Sequence, residues 1–450
     1  MRTTKMSALL FAALCCGGLF AGDYLGVEIT SIRQRYPWNG KVDIDFTVAS
    51  TRPEKPAVLT FTAVDNTVSP ATNLLAQTFD GSTTNVFAVT NGSYRTTWDT
   101  DSDLPRQVID RVSFKIAATT DYPDAENSRY MVVDLRKGPA ATAADRYPVH
   151  FLPTMPLGMA AGADKTEYLV LRRVPATTSD EWKAISGGKD YFLLGSAADE
   201  VNRGGADLPL MKAKITHDFY VGIYEVTQRQ YELLTGERPS YFTNEVCWAT
   251  RPVENLLANT QIGAFNKEGT PLNRLYQRSG HKLRLPTEAE WEHACRAGTE
   301  TPWNNGGTYT SDGWGDANLE KLGRFRYNGG YVNAAKPPRD ADVKNGTRTV
   351  GMFQPNAFGL YDMHGNVSEM CRDYWFGGDF SSLEGYDADS DCWIDPGFFT
   401  YRDRDYQVRR GGDFTSIAKE CAAPRRASYL GYGDGANAHT GFRLVCTVGE

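Results

Sequence analysis

The chain has 450 residues, more than one hydrophobic core usually holds, so its length predicts two or three domains. Hydrophobic residues make up 41% of the sequence and charged residues 23%, as in water-soluble globular proteins. The formal net charge of −7, without a cluster of basic residues that could neutralise phosphates, excludes a nucleic-acid-binding protein.

Residues 1–21 have the pattern of an export signal. Two basic residues near the start precede an apolar run, and small residues follow it. The run is short for a membrane span and no second one follows, so we expect no transmembrane segment. A lipid anchor on Cys15 or Cys16 is an alternative, although Leu14 stands where a small residue is expected. We predict an exported protein that is periplasmic, displayed on the cell surface or extracellular.

Residues 23–136 are predicted to form a small all-β sandwich of immunoglobulin or fibronectin type. Four segments alternate apolar and polar residues, and turn-forming Gly, Asn, Asp and Pro separate them. The segments are 42–49, 57–64, 111–119 and 128–136. We expect a structural or docking role for this domain. Residues 137–165, rich in Ala, Pro and Gly, are predicted to be a linker.

A second domain is predicted over residues 166–450, and two of its helices are marked by their first residues. Thr227 and Gln230 form the capping box of one helix, because the side chain of each can bond the backbone N–H of the other. Thr287 and Glu290 form the same arrangement in the other helix.

The second of these helices is predicted to be amphipathic. Trp291, Ala294 and Cys295 fall on one face, which we expect to pack into the core. Glu288 and Glu292 fall on another face, which we expect to be solvated.

After this helix the chain is mostly loop for about 150 residues, which is uncommon in a compact domain. Such a region needs something besides sheet hydrogen bonds to fix it, and disulfides and bound calcium are the natural candidates. Six cysteines follow the signal segment, and in an oxidising compartment they predict disulfides with fifteen possible pairings. They are Cys247, Cys295, Cys371, Cys392, Cys421 and Cys446.

The segment 355–375 offers ligands for calcium. Asp362 and Glu369 stand seven residues apart and flank Gly365 and Val367, whose carbonyls a tight loop can turn inward. Carboxylates and carbonyl oxygens are the hard ligands that calcium takes. An ordered loop whose acids only cap turns and face water is the alternative.

Five motifs in this domain together resemble the sulfatase-modifying-factor family, which contains the formylglycine-generating enzymes. They occur in the family's order over residues 186–446. The resemblance implies an α+β, loop-rich domain with a C-type-lectin-like fold. The motifs are YEVTQRQYELLTG (224–236), RLPTEAEWEHACRAGT (284–299), GLYDMHGNVSEMC (359–371), RRGGDF (409–414) and GFRLV (441–445).

The resemblance also implies structural sites. Asn318 and Leu319 resemble a pair that contributes to a second calcium site in the family, but the downstream ligands have no clear match around residues 327–332. Cys295 and Cys421 match a pair that is bridged in formylglycine-generating enzymes, and their disulfide would close a loop of more than 100 residues. Two buried free thiols are the alternative.

The catalytic cysteines of the family are not matched. Formylglycine-generating enzymes oxidise a cysteine of a client sulfatase with oxygen, and two of their own cysteines hold copper(I). Ser416 stands where the first is expected, and the segment before Cys421 is too short for the second. Asp413 replaces a family Ser, and Ser368 and Met370 replace two family Trp residues. A hydroxyl is a poor copper(I) ligand, so we predict no catalytic residue and no copper.

The iron site of another branch of the family, similar to the ergothioneine synthases, is not visible either. That branch holds non-haem iron through histidines, and no two of the six histidines here stand four apart with an acid following. His364 is interpreted as a turn residue. The histidines are His150, His217, His281, His293, His364 and His439.

Two functional hypotheses follow. In the first, the domain is an exported, calcium-stabilised binding module whose cleft holds a peptide, protein or glycan ligand. In the second, it is an oxidase with a non-standard site that converts a client cysteine to formylglycine in sulfatase maturation. A pair of unbridged thiols at the surface cleft is the feature that would favour the oxidase.

Overall fold

The structure, a computed structural model, describes residues 25–449 in part and divides them into two compact units. One unit lies within residues 1–129 and 150–160, and the other within residues 130–149 and 161–450. The predicted signal segment lies outside the described residues. Not described within 25–449 are 36–38, 51–56, 69–70, 75, 81–85, 90, 106–111, 120–127, 142–146, 153–154, 156–161, 206, 244–246, 258–260, 265, 329–345, 376–384, 388–390, 398–405 and 431–436.

The first unit consists of two β-sheets that contain three of the four alternating segments. The assignment of the fourth segment, 128–136, to this unit is wrong, because its strand Tyr130–Asp134 pairs with Tyr168–Val174 in the second unit. The predicted linker 137–165 also contains a strand, Val149–Leu152. Strands β1, β2 and β6 form one antiparallel sheet, and β3 pairs with β4, β5 and β7 in the other. Apolar residues of both sheets meet in one core that includes Phe46, Phe61 and Trp98. The elements are β1 (Leu25–Gln34), β2 (Lys41–Ser50), β3 (Ala57–Asp65), β4 (Thr72–Leu74), β5 (Val86–Val89), β6 (Gly92–Asp99), α1 (Thr100–Asp103) and β7 (Val112–Thr119).

The rest of the chain mixes short helices and strands, which confirms the predicted α+β fold class. In the part of the chain that the structure describes, no helix is long and apolar enough to cross a membrane. The elements are β8 (Tyr130–Asp134), β9 (Val149–Leu152), β10 (Tyr168–Val174), α2 (Asp180–Ser186), β11 (Phe192–Leu194), β12 (Met211–Lys214), β13 (Phe219–Gly222), α3 (Gln228–Thr235), α4 (Pro271–Ser279), α5 (Glu288–Arg296), α6 (Leu319–Leu322), β14 (Ser368–Tyr374), β15 (Tyr386–Asp387), β16 (Cys392–Ile394), β17 (Tyr406–Arg410), β18 (Arg426–Leu430), β19 (Thr440–Gly441) and β20 (Val445–Thr447).

One sheet of the second unit positions the candidate site. Its strand order is β18-β17-β14-β19, with β14 antiparallel to β17 and parallel to β19. Glu369 of β14 stands opposite Arg410 of β17, and Ser368 stands opposite Thr440 of β19. Because side chains alternate across a strand, Ser368 and Glu369 point to opposite faces of this sheet.

Helix α5 begins at the predicted capping box. The Thr287 hydroxyl accepts the N–H of Glu290 at 3.0 Å, and the Glu290 carboxylate accepts the N–H of Thr287 at 2.8 Å. Arg284 binds the same carboxylate with two N–H groups, each at 2.7 Å. The capping box of α3 at Thr227 is also confirmed. The local sequence therefore determines where α3 and α5 begin.

The prediction that Glu288 and Glu292 face solvent is wrong. Every residue of α5 is buried, and these two side chains have no exposed surface. Arg426 holds Glu288 through two N–H groups, at 2.6 and 2.8 Å. Arg410 and Arg296 both bind Glu292. The partners on β17 and β18 are more than 100 positions away in sequence, so the helical pattern alone could not reveal them.

Glu292→Gln tests this buried network. Neutralising Glu292 leaves Arg410 buried with a weaker partner, and breaking a buried ion pair from one side typically costs about 3 to 5 kcal/mol. We expect a loss of that size in the free energy of unfolding, measured by guanidinium denaturation. Glu181→Gln is the matched control, since Glu181 pairs with Arg173 at 2.8 Å near the surface and should cost less than about 1 kcal/mol. Equal small losses for both variants would contradict the prediction.

His217 gives the second unit a pH-dependent contact. Its ring lies 3.1 Å from Glu290 and 3.4 Å from Asp395, and these carboxylates raise the pKa of His217 to about 9. The folded state therefore binds this proton more tightly than the unfolded state, whose pKa is near 6.5. The contact is fully stabilising below pH 6.5 and is lost as the pH rises through 9.

We expect His217→Gln to lower the free energy of unfolding by about 1 to 2 kcal/mol at pH 6, allowing for partial exposure of the ring. The difference from the wild type should shrink between pH 6.5 and 9. Urea denaturation at several pH values measures both. A difference that stays constant with pH would show that the ring contributes packing and not charge.

Candidate functional site

A pocket of about 410 Å³ lies beside the RRGGDF segment. Its lining includes Ser368, Asp413 and Ser416, three of the four positions at which the sequence replaces family Trp, Ser and Cys residues. Ser368 is 45 positions from Asp413 in sequence, and the pairing of β14 with β17 brings their segments together. Met370, the fourth position, is buried and is not among the lining residues. Three of the departures from the family pattern are therefore changes to one site.

Two glycines turn the chain into this pocket at the end of β17. Gly411 has φ of 91° and Gly412 has φ of 67°, in the left-handed region that favours glycine. A Cβ on Gly412 would come within 2.6 Å of the Cys421 sulfur, so the turn packs tightly on the segment that follows. The turn places residues 413–416 along the pocket wall.

Asp413 organises the polar groups of the pocket. Its carboxylate accepts the Ser368 hydroxyl at 3.2 Å and both the N–H and the hydroxyl of Thr415, at 2.8 and 2.5 Å. The Asp413 N–H donates to the Ser416 oxygen at 3.2 Å, and His439 Nδ1 lies 3.8 Å from the carboxylate. Nucleophilic catalysis needs the imidazole between carboxylate and hydroxyl, whereas here the carboxylate lies between Ser368 and His439. The hydroxyls are arranged as hydrogen-bonding groups.

The arginines that line the pocket differ in their partners. Arg426 is held by Glu288, and Arg425 lies 3.4 Å from Asp207. Arg409 donates from Nη1 to the Thr440 hydroxyl at 3.2 Å, and its buried Nε has no hydrogen-bond partner. Arg409 therefore has donors available to a molecule in the pocket.

The predicted disulfide between Cys295 and Cys421 does not form. All six described cysteines are free thiols, and these two are fully buried. His364 occupies the space between them: its Nδ1–H donates to the Cys421 carbonyl at 2.8 Å, and Nε2 lies 3.8 Å from the Cys295 sulfur. Nε2 also accepts the N–H of Asn304 at 3.2 Å, and burial lowers the pKa of His364 to about 4. The neutral ring bridges the two segments by hydrogen bonds.

The thiols near the pocket are poor ligands for a soft metal. Burial raises the pKa of Cys371 and Cys421 well above the usual range, and burial likewise raises the pKa of Cys295. A thiolate, not a thiol, is the metal ligand and the nucleophile. The pocket lining has Ser416 where the family has a cysteine, and no cysteine is among the described lining residues.

The four predicted calcium ligands of the segment 355–375 are buried together at the start of β14. Asp362 adopts a positive φ of 58° and accepts the N–H of Gly351 at 2.6 Å. Glu369 accepts two N–H groups of Arg443, each at 2.6 Å, and Trp291 Nε1–H at 2.8 Å. Both carboxylates are thus fixed inside the domain and not solvated.

Sequence reasoning missed a third buried carboxylate beside them, Glu225. It has no exposed surface and accepts the N–H of Val367 at 3.1 Å and the Asn366 amide at 2.6 Å. The only signal available was an acid inside the YEVTQRQ motif. Burial, followed by the charges of Asp362 and Glu369, raises the pKa of Glu225 well above its usual value.

These three acids are here named the carboxylate cluster (Glu225, Asp362 and Glu369), and Arg443 forms an ion pair with Glu369. Burial raises the pKa of Asp362 to about 6, with Arg443 and Lys165 acting in the opposite direction. Within the described ranges no three His, Cys, Asp or Glu side chains converge as a metal site. Asp362 and Glu369, with the carbonyls of Gly365 and Val367, are the residues that could hold a hard cation here.

Asn318 and Leu319 begin the short helix α6. The Asn318 amide donates to the Thr308 carbonyl at 3.0 Å, and the Leu319 carbonyl accepts the N–H of Gly323 at 3.1 Å. Leu319 is buried in an apolar cluster with Trp303. These contacts account for both residues within the fold of the segment.

Comparison with known proteins places this geometry in a family. A family model described as the sulfatase-modifying factor enzyme 1-like domain matches residues 169–448. Chaperone protein LppX of Paenibacillus barcinonensis is 30% identical over 232 residues, which cover 44% of this chain and 73% of that protein. Formylglycine-generating enzyme of Thermomonospora curvata is 36% identical over 170 residues, which cover 36% of this chain and 48% of that enzyme. The chain thus spans about half the length of that enzyme.

The solved structures that match the chain are more distant in sequence. PvdO from Pseudomonas aeruginosa is 22% identical with a TM-score of 0.44, and the match covers 62% of this chain and 94% of PvdO. Treponema denticola variable protein 1 is 22% identical with a TM-score of 0.43, over 62% of this chain and 95% of that one. The family model matches more than half of the chain, over the same region as the five motifs. The chain belongs to the sulfatase-modifying-factor family.

Proposed function

We propose that the second unit is a binding module of an exported protein, and that the pocket at Ser416 holds a peptide or glycan ligand. The observation that carries this proposal is the shared location of Ser368, Asp413 and Ser416. Where the family places indole and thiol groups, this pocket has two hydroxyls that both bond Asp413: Ser368 donates to its carboxylate, and Ser416 accepts its backbone N–H. Such a lining suits hydrogen bonding to a polar ligand and lacks a redox-active group.

Two further points support binding. The described thiols nearest the RRGGDF turn are buried, and their raised pKa values keep them protonated, which disfavours copper(I). One relative is named a chaperone, and this chain spans 73% of its length. Because a chaperone binds polypeptide, that name favours a peptide ligand over a glycan. The second hypothesis, oxidation of a client cysteine, draws on the relatives named formylglycine-generating enzyme.

Ser416→Trp tests the pocket. An indole at this half-buried position fills the space that the proposal gives to the ligand, so we expect at least a tenfold loss of affinity, about 1.4 kcal/mol. Peptide and glycan arrays probed with the full chain select the ligand, and titration calorimetry measures the loss. Ser311→Trp, at an exposed serine outside the pocket lining, is the matched control and should bind normally.

A different result would support the oxidase hypothesis. If the wild-type chain retains no array ligand but consumes oxygen with copper(I) and a cysteine-containing peptide, the oxidase hypothesis is correct. Ser416→Cys adds a thiol at the family position, and a gain of oxygen uptake in this variant alone would leave the binding proposal intact.

Calcium belongs to the same proposal as a structural ion. Asp362 and Glu369, with the carbonyls of Gly365 and Val367, would hold it, and its charge would offset the carboxylate cluster. Asn318 and Leu319 would contribute to a second site. Support comes from the burial of these carboxylates beside one another, since burial first, and then the neighbouring carboxylates, raise the pKa of Asp362 and Glu225.

We expect calcium to raise the melting temperature of the full chain and EDTA to lower it. At a calcium concentration 100 times the Kd, the stabilisation is about 2.7 kcal/mol. Asp362→Asn should abolish the shift and stabilise the calcium-free protein, because it removes a charge that is costly when buried. Asp312→Asn, at an exposed acid, is the matched control. A calcium shift of equal size in both variants would refute the assignment of Asp362.

A further inference from the structure

Three arginines outside the pocket lining form a group of like charges: the buried Arg251 and Arg324 and the half-buried Arg348, here named the arginine cluster. Arg251 and Arg324 are 0% and 1% exposed. Burial, followed by the charges of Arg348 and Arg251, lowers the pKa of Arg324 to about 10. A guanidinium is normally charged throughout the pH range of proteins, so this shift reflects strong desolvation together with mutual repulsion.

Contacts of Arg251 and Arg324 with residues 242 and 346 bring these two arginines to one region of the fold. Arg324 Nε donates to the Gly346 carbonyl at 3.3 Å, and the Arg251 guanidinium lies 5.8 Å from the Phe242 ring. That ring packs directly on Gly346, where an added Cβ would come within 2.4 Å of it.

A second set of bonds fixes the backbone of Arg348 in the same region. The N–H of Arg348 donates to the Asn366 amide oxygen at 2.8 Å, and the N–H of Asn366 donates to the Arg324 carbonyl at 2.8 Å. Segment 347–350 also runs beside Arg251, because the Val350 N–H donates to the Thr250 carbonyl at 2.9 Å.

Arg324 Nη1 donates to the Asn328 carbonyl at 2.9 Å, but two neighbouring residues have buried polar groups without a partner. Nη1 and Nη2 of Arg251 are both buried and neither has a hydrogen-bond partner. The Thr347 hydroxyl, between Gly346 and Arg348 in the chain, is buried without a partner as well. No ion pair within 4 Å joins Arg251 or Arg348 to a carboxylate of the described residues. Unpaired buried cations are among the most costly groups a fold can contain.

Glu254, a buried acid near Arg251, does not neutralise the cluster. Burial raises the pKa of Glu254 to about 7. Its hydrogen bonds to Phe242, Tyr241 and Ser240, and then the charge of Arg251, act in the opposite direction. Its two oxygens accept the N–H groups of Tyr241 and Phe242, each at 3.0 Å. The carboxylate is therefore committed to the backbone and only partly ionised at neutral pH.

We propose that Arg251, Arg324 and Arg348 form a buried binding site for a small oxyanion of the phosphate or sulfate class. Planar guanidinium groups match the oxygens of such an anion with paired hydrogen bonds, and the Thr347 hydroxyl adds a donor. A trapped water could accept a bond from Arg251 but would leave the repulsion among the three charges in place. An anion offsets both the unsatisfied donors and the charge. The site is separate from the pocket at Ser416 and stands whether or not that pocket binds a ligand.

The test is thermal unfolding of the full chain against inorganic phosphate and inorganic sulfate from 0.1 to 10 mM, at ionic strength held constant with a larger organic salt. We expect a saturable rise in melting temperature for the wild type. Arg348→Gln, at a half-buried position, should weaken the apparent affinity at least tenfold. Arg251→Met should abolish the response and raise the melting temperature without the anion, because it removes an unpaired buried charge.

Arg274→Gln, at an exposed arginine of α4, is the matched control and should respond like the wild type. A wild type without a saturable response overturns the proposal. So does a response that Arg409→Gln removes and Arg348→Gln leaves, since that would place the anion in the pocket at Ser416. If Arg251→Met does not fold, the comparison of Arg348→Gln with Arg409→Gln decides alone.

Discussion

The buried pairing of Glu288 and Glu292 with Arg410 positions the glycine turn that forms one wall of the pocket at Ser416. Arg410 ends β17 immediately before the two glycines of the turn, and its fully buried guanidinium binds Glu292 and lies 3.4 Å from Glu288. These acids are four residues apart on α5, so both carboxylates lie on one face of the helix and contact the arginine from there. Charges this deeply buried are stable only when each has a partner. The position of the glycine turn at 411 and 412 therefore depends on the position of α5.

Two adjacent residues of β14 belong to two different sites on opposite faces of the sheet. Ser368 contributes a hydroxyl to the pocket, whereas Glu369 contributes a carboxylate to the cluster on the other face, where Arg443 and Trp291 bind it. The alternation of side chains along a strand makes this separation automatic. A replacement at 368 therefore alters the pocket without touching the proposed calcium ligands. This arrangement explains how a family member can change its binding chemistry and keep its scaffold.

Asn366 lies between the carboxylate cluster and the arginine cluster. Its φ of 67° is in the left-handed region, which asparagine tolerates better than most residues. The amide donates to Glu225 and accepts the N–H of Arg348, so one side chain touches an element of each cluster. In a domain with long irregular segments, buried polar contacts thus provide the stabilisation that backbone hydrogen bonds between strands provide in a regular sheet.

Sequence alone determined the features that depend on neighbouring residues or on a recognisable motif: the capping boxes of α3 and α5, the alternation that builds the β-sandwich, and the family of the second unit. It also located Ser416 as a departure from that family. Only the tertiary structure decided what distant residues do to one another. It buried Glu288 and Glu292 against arginines of β17 and β18, placed His364 between Cys295 and Cys421, and added Glu225 to the carboxylate cluster. Helical periodicity reports which residues share a face, but the partner that faces them is set by packing between segments far apart in the chain.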